Sequence, residues 1–299
     1  MCLRITPIFA ALLLWVTPLH SAGILSEYTL TSWSEDDGLP TVRVMSLAQD
    51  LNGYIWIGTA TGLVRFDGVR FVSVPATEGY ANAGRVIAAL ASTRDGDIWA
   101  GFADVGGVAR IHHGKTSLYH DAKGEELGFI SILHEDTRGT LWAAGPSGLF
   151  RFRSTGWESV GIGAVQFDRT TILGVFNDVD GQLCVVTSGG IFQDHADDLS
   201  KAALGACSEL KPVKGSSAVT HELNSVLASP FSSVRDRHGN IWLGTRGRGL
   251  WRRSSDVDAG WDKITATDIS SDAVWSVLED KEGNIWVGTL AGLHKLTER

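Results

Sequence analysis

Apolar and polar residues alternate along much of the chain in short runs, which are separated by glycine-containing turns. Period-two alternation is typical of strands with one face in a core, whereas each glycine inside a helix costs about 1 kcal/mol relative to alanine. The first clear example predicts four strands, at Val44–Gln49, Tyr54–Thr59, Leu63–Phe66 and Arg70–Val74. Asp67 and Gly68 form the expected hairpin turn between the last two strands.

This pattern recurs six times along the chain. The aligned copies share a tryptophan in the second strand, as Trp56, Trp99, Trp142, Trp242 and Trp286, while the fourth copy has Cys184 at that position. Their spacing is 42 to 44 residues, except for 58 residues between Cys184 and Trp242, which predicts an insertion around residues 195–229. Four antiparallel strands at this period predict an all-β fold, a β-propeller of four-stranded blades with six visible repeats.

Two recurring residue types have structural roles in such a fold. The tryptophans are expected to fill the core between neighbouring blades. An aspartate lies three residues before a glycine in the first turn of five copies, as Asp50, Asp136, Asp178, Asp236 and Asp280, and the second copy has Thr93 there. This pairing is typical of an Asx-type turn. Because one aspartate per blade keeps the five carboxylates far apart, we expect no metal site and no cofactor.

The two ends of the repeat region complement each other. Leu25–Trp33 is predicted as a lone strand before the first repeat, and the last repeat stops at Leu296, after a third strand. Pairing the two would complete a blade and remove an exposed sheet edge. The sequence leaves two outcomes open, a closed six-bladed ring or an incomplete seven-bladed ring whose remainder lies outside this chain.

Residues 1–23 have the pattern of a secretory signal peptide: a basic start ending at Arg4, an apolar run over Ile5–Val16 and a small, polar end. A retained membrane anchor is the alternative, although the run is shorter than the roughly 20 residues that a bilayer requires. The mature chain, residues 24–299, would then be one exported propeller. Export permits a disulfide between Cys184 and Cys207, but the sequence does not require one.

Charge excludes one class of partner. The chain has 26 Lys and Arg against 34 Asp and Glu, a net charge of −8, and its basic residues never cluster beyond pairs. Proteins that bind nucleic acid neutralise phosphates with clustered Lys and Arg. We therefore expect no nucleic-acid partner.

The repeat with its flanks reads Trp33-Ser-Glu-Asp-Asp-Gly-Leu-Pro40, then Asp50, Gly53-Tyr-Ile-Trp-Ile-Gly-Thr59, Gly62-Leu63 and Phe66-Asp-Gly68. It resembles the two-component regulator propeller repeat, over roughly Ser26 to Leu296. The resemblance implies the periplasmic sensor region of a bacterial hybrid histidine kinase or diguanylate cyclase, which detects a small molecule or oligosaccharide. It also implies a membrane-bound kinase or cyclase module in cis or in trans, a phosphorelay or cyclic-di-GMP output, and a possible homodimer. No transmembrane or output module is recognisable in this sequence, so we expect a non-catalytic region.

Departures from the repeat are where ligand contacts are expected. The fifth copy has an enlarged loop with Arg246 and Arg248, suited to a carboxylate or sulfate, and the second has Asp104, suited to sugar hydroxyls. Arg43 lies in a predicted inter-blade loop, and Trp275 on an innermost strand would line the channel and stack on a sugar ring. Each has a simpler alternative, a solvated loop charge or, for Trp275, core packing.

Two other functions stay open. One is a secreted propeller lyase acting on an acidic polysaccharide or a lactone, for which His112, His113 and His221 are the candidate residues, although they occur in different repeat contexts. The other is a non-catalytic protein-interaction propeller, for which an apolar rather than charged channel face would be expected.

Overall fold

The computed structural model describes residues 24–74, 85–103, 106–121, 123–125, 127–154, 156–161, 172–177, 181–187, 190–193, 203–204, 232–255 and 261–299. The predicted signal peptide and several candidate residues lie outside these ranges, namely Asp104, Asp178, Cys207 and His221. The described strands form six antiparallel four-stranded sheets. The fold is an all-β propeller with four-stranded blades, as the sequence predicts.

The strands are numbered in chain order, and each sheet is called a blade. Blade 1 contains β2 (Val44–Gln49), β3 (Ile55–Thr59), β4 (Gly62–Phe66) and β5 (Phe71–Ser73). Blade 2 contains β6 (Ile87–Ser92), β7 (Ile98–Phe102), β8 (Val108–His112) and β9 (Lys115–Tyr119). Blade 3 contains β10 (Ile132–Glu135), β11 (Leu141–Gly145), β12 (Gly148–Arg153) and β13 (Gly156–Val160).

Blade 4 contains β14 (Ile172–Asn177), β15 (Leu183–Thr187), β16 (Gly190–Gln193) and β17 (Ala203–Leu204). Blade 5 contains β18 (Ser232–Arg235), β19 (Ile241–Gly244), β20 (Leu250–Arg253) and β21 (Trp261–Ile264). Blade 6 contains β22 (Val274–Glu279), β23 (Ile285–Thr289), β24 (Gly292–Glu298) and β1 (Tyr28–Trp33). The helices are short, with 3-10 turns at Ile24–Ser26 and Glu35–Asp37 and an α-helix at Ala266–Ile269.

The repeated tryptophans pack between blades, as predicted. Trp56 of blade 1 shares a buried cluster with Ile87 of blade 2, and Trp286 of blade 6 shares one with Val44 of blade 1. Cys184 takes the tryptophan position in blade 4 and is fully buried. It is disulfide-bonded, and both other cysteines of the chain lie outside the described residues.

Glycines also occur inside the second strands, two residues after the tryptophan, and not only in turns. A Cβ at Gly58 would lie 2.7 Å from the carbonyl oxygen of Ile87 in the next blade. At Gly101 it would lie 2.7 Å from Ile130 Cγ2. These positions need glycine because the innermost strand of the next blade approaches the backbone closely.

The amino-terminal strand completes the last blade, which confirms the predicted pairing of the two ends. β1 pairs antiparallel with β24, from Tyr28 opposite Glu298 to Trp33 opposite Leu293. The buried Arg252 of blade 5 donates to both carboxylate oxygens of Glu27, at 2.6 and 2.9 Å, just before β1. The segment that enters the closing strand is therefore tied to two blades.

A buried histidine adds to this closure. His294 on β24 is 1% exposed, and its Nδ1 lies 2.8 Å from the Ser32 hydroxyl on β1. Burial lowers the pKa of His294 to about 4. The imidazole is therefore neutral near neutral pH, with Nδ1 free to accept from Ser32.

The predicted insertion contributes to the fold. Ala203–Leu204 lies within residues 195–229 and pairs with β16 as the fourth strand of blade 4. Of residues 195–229, only this pair is among the residues that the structure describes.

Candidate functional site

The two ends of the propeller are built differently. In each blade the turn between the first and second strands lies at one end, called the turn face. The loop between the second and third strands and the connection to the next blade lie at the other end, called the loop face. A ligand site is expected on the face whose polar side chains are not all used to hold the blades together.

On the turn face the repeated aspartates bind groups of their own blade. The indole nitrogen of the tryptophan six residues later donates to Oδ2, at 2.8 Å for Asp50, 2.9 Å for Asp136, 2.8 Å for Asp236 and 2.7 Å for Asp280. Oδ1 of Asp280 accepts from the backbone N–H groups of Glu282 and Asn284. The predicted Asx-type turns are confirmed, but the sequence analysis missed the link to tryptophan, which the constant spacing of six residues signals.

Side chains on the turn face also link neighbouring blades. Arg94 of blade 2 donates to the carbonyl oxygen of Asp136 in blade 3 at 3.0 Å. Arg237 of blade 5 pairs with Glu279 of blade 6 at 2.7 Å. Lys281 of blade 6 donates to the carbonyl oxygen of Asp50 in blade 1 at 3.0 Å. These turn-face groups are engaged in holding the blades together.

A channel runs between the innermost strands. A cavity of about 480 Å³ is lined by residues of β2, β6, β10, β14, β18 and β22. A second cavity of about 430 Å³ is lined by four of the same leucines and by turn-face residues such as Glu135 and Lys281. Trp275 lies in the wall of the first cavity, which agrees with its predicted place on the channel.

A histidine that the sequence analysis missed belongs to both cavities. His134 lies on β10, and its Nε2 is 2.6 Å from Oδ1 of Asn177 on β14. Burial lowers the pKa of His134, which favours the neutral ring. The equivalent position of the first repeat is Ala48, so a comparison of inner strands across repeats would have found this polar departure.

The loop between β19 and β20 holds Arg246 and Arg248 on the loop face. The Thr245 hydroxyl accepts from the Arg248 N–H at 2.9 Å, and the Trp251 indole donates to the Arg248 carbonyl oxygen at 2.9 Å. Gly249 donates its N–H to the carbonyl oxygen of Asp272 at 2.9 Å. This loop is therefore fixed at several points, while both arginine residues are exposed.

The structure brings some candidate residues together and leaves others apart. Arg246 forms a backbone bridge with Ala273, two residues before Trp275. Arg43 is exposed on the connection before β2, on the same face in blade 1. Asp104 lies outside the described residues.

The candidate lyase histidines are not at the channel where the structure describes them. His112 ends β8 and His113 follows in the outer hairpin of blade 2. Nδ1 of His112 lies 2.5 Å from Oδ1 of Asp97. Across the described part of the chain, no group of three or more His, Cys, Asp or Glu side chains is placed to hold a metal.

Within the described ranges, no helix combines the length and the apolar character that a bilayer crossing needs.

Comparisons with known proteins bear on the family. The model of the two component regulator propeller family matches residues 268–291, the connection into blade 6 with β22 and β23. A comparison with curated proteins finds no match.

Solved structures share the fold at low sequence identity. The extracellular domain assigned to a hybrid two component system of B. thetaiotaomicron is 15% identical, with a TM-score of 0.63 over 91% of this chain and 42% of that one. A second such domain from the same organism is 16% identical, with a TM-score of 0.54 over 90% of this chain and 39% of that one. Virginiamycin B lyase of Staphylococcus aureus is 14% identical, with a TM-score of 0.56 over 91% of this chain and 100% of that one.

This chain thus spans about 40% of the length of the two component system domains that it resembles. At these identities the likeness shows the fold. The two-component regulator propeller repeat that the sequence resembles is confirmed over residues 268–291.

Proposed function

We propose that this chain is the periplasmic ligand-sensing propeller of a bacterial signal-transduction receptor. The observation that carries the proposal is the loop-face hairpin with Arg246 and Arg248, which departs from the repeat pattern. The repeated aspartates of the turn face, in contrast, bind groups of their own blades. The family match over residues 268–291 supports the signalling context. The chain itself supplies binding and no catalysis.

The hairpin indicates the chemistry of the ligand. Two exposed arginines on a loop whose backbone is hydrogen-bonded at several points suit carboxylate or sulfate groups. Trp275 lies two residues beyond Ala273, the bridge partner of Arg246, where an aromatic ring can stack on a sugar. The ligand that fits is an acidic oligosaccharide or a small acidic breakdown product. Arg43 and Asp104 are further candidate contacts.

We infer also that the ring is closed with six blades. The pairing of β1 with β24 and the contribution of six innermost strands to one cavity support this. The receptor would be exported by residues 1–23, tethered to the inner membrane in a longer form, and coupled to a kinase or cyclase module in cis or in trans. Homodimerisation of the propeller is part of the same proposal.

Isothermal titration calorimetry with an unsaturated uronate disaccharide and its neutral glucose analogue tests the ligand class. We expect only the acidic disaccharide to bind, and the change Arg248→Ala to weaken it about tenfold, since a bond to a charged group contributes about 1.5–3 kcal/mol. Arg70→Ala, in the exposed β4–β5 hairpin, is the matched control and should leave affinity unchanged.

Two results would contradict the proposal. Equal binding of neutral and acidic disaccharides would remove the role of the arginines. Ultraviolet-absorbing products from an intact uronate polymer, released by the wild-type protein, would instead support the lyase alternative.

A further inference from the structure

The loop-face part of the channel is a neutral chamber. Its volume of about 480 Å³ falls within the range of small-molecule sites, roughly 300–1,000 Å³. Among its described lining residues the only Lys, Arg, Asp or Glu is Arg235, which lies at the turn-face end, next to Asp236. Apart from Arg235, no described lining residue carries a charge that could pair with an anion.

Recurrent β-bulges shape the mouth of this chamber. The pairing of β2 with β3 skips one residue between Val44 and Ser46, which leaves Met45 without a partner in the register. The same irregularity isolates Ala88, Leu173 and Trp275 in blades 2, 4 and 6. A bulge redirects a side chain and often lies beside a functional site. All four residues line the cavity and are partly exposed.

The ring of bulge residues is uneven. Met45 and Trp275, from the neighbouring blades 1 and 6, are large, whereas Ala88 of blade 2 and Ser131 at the equivalent position of blade 3 are small. Among the described residues at this level, those of blades 2 and 3 are therefore the smallest. His134 lies on blade 3, three residues after Ser131.

His134 supplies a defined hydrogen-bond acceptor in this wall. Nδ2 of Asn177 donates to the Gly181 carbonyl oxygen at 3.0 Å, so its Oδ1 faces His134 and accepts from Nε2. The hydrogen-bond network thus assigns the proton to Nε2 and leaves Nδ1 as an acceptor.

Two serines of the wall form hydrogen bonds within the protein. The hydroxyl of Ser46 donates to the Ile87 carbonyl oxygen at 3.2 Å, and that of Ser232 accepts from the Val277 N–H at 2.9 Å. Both are engaged with the innermost strand of the next blade. The chamber therefore combines apolar and aromatic surface with an imidazole acceptor.

We propose that the channel binds an uncharged molecule with a flat apolar ring and one hydroxyl donor, with the ring against Trp275 and Met45 and the donor bonded to Nδ1 of His134. This ligand differs from the anionic one proposed for Arg246 and Arg248, although both proposals use Trp275. Its ligand enters from the loop face, beside Ala88 and Ser131.

Calorimetry with 2-naphthol and its methyl ether tests this, because the ether keeps the ring and the oxygen but has a methyl group in place of the hydroxyl hydrogen. We expect 2-naphthol to bind the full chain about 3- to 10-fold more tightly, as one hydrogen bond provides. The change His134→Phe should remove this difference, and Trp275→Leu should weaken both probes.

Two further variants separate binding from folding. Ala88→Phe places a large side chain at the mouth and should block both probes without lowering the melting temperature. Val72→Ala, on the exposed outer strand of blade 1, should change neither affinity. Equal affinity for the two probes, no binding of either, or an undiminished preference in His134→Phe would overturn the proposal. Arg246→Ala should leave naphthol binding intact, which distinguishes this site from the proposed anionic one.

Discussion

Blades 2 and 6 carry the same turn with different side chains. In blade 6 the Asp280 N–H donates to the Asn284 carbonyl oxygen at 2.9 Å, and in blade 2 Thr93 makes the equivalent bond to Asp97 at 2.9 Å. The glycine of each turn donates back to the first residue, at 3.0 Å for Gly283 and 2.8 Å for Gly96. The turn therefore forms in blade 2 without an aspartate at its first position, and the carboxylate of Asp280 has a further role beyond the turn.

That role is to hold the tryptophan. Asp280 accepts from Trp286, whereas in blade 2 the carboxylate has moved to Asp97, which binds Arg110 and His112 instead. Trp99 is then packed by Tyr119 at 5.1 Å between ring centroids, among other aromatic rings. Both blades thus keep the buried indole, and two different sets of contacts fix its position.

The largest expected effect comes from Asp280→Ala. Its carboxylate is 5% exposed and accepts from the Trp286 indole, the Asn284 side-chain amide and two backbone N–H groups. All of these donors would lose their acceptor. We expect the free energy of unfolding to fall by about 3 kcal/mol, measured by urea denaturation. Asp67→Ala removes an exposed carboxylate that also accepts two backbone N–H groups, and as the control it should cost under about 1 kcal/mol. Equal losses would show that the indole bond contributes nothing.

A smaller loss is expected from Asp97→Ala in blade 2. The side chains of Arg110 and His112 are 31% and 51% exposed, so water can solvate them once the carboxylate is gone. We expect a loss of about 1 kcal/mol, which decreases as salt is added because the pairing is ionic. The loss in Asp280→Ala should depend little on salt, since its donors are neutral. If Asp97→Ala instead lost about 3 kcal/mol or more independently of salt, Asp97 would act as a buried acceptor like Asp280, and the two blades would not differ in this respect.

Much of this framework is predictable from the sequence. The tryptophan period identifies the blades, and the lone strand before Trp33 predicts the pairing with β24, because both depend on repeated local patterns. The disulfide at Cys184 could not be predicted, since spacing alone does not define a pair. The partner of His134 is on another blade, 43 residues away, and such a contact has no local signature. The bulge at Trp275 depends on strand register, which alternation alone does not determine.

An arginine links neighbouring blades in the same way whether the turn begins with threonine or with aspartate. Arg94 follows Thr93 and reaches Glu135 and the Asp136 carbonyl oxygen of blade 3. Arg237 follows Asp236 and reaches Glu279 and the Asp280 carbonyl oxygen of blade 6. The arginine link thus accompanies the backbone turn, whether or not the aspartate is present.

The smallest expected effects test this equivalence. Both arginine side chains are about half exposed, at 54% and 43%, so Arg94→Ala and Arg237→Ala should each lower the free energy of unfolding by about 0.5 kcal/mol. Arg94→Lys should recover little, because an ammonium group cannot reach a carboxylate and a carbonyl oxygen as the guanidinium does. Arg153→Ala, another exposed ion-paired arginine but within one blade, is the control. If only Arg237→Ala had an effect, the link would depend on the aspartate, and the Arg94 side chain would not help to hold blade 2 to blade 3.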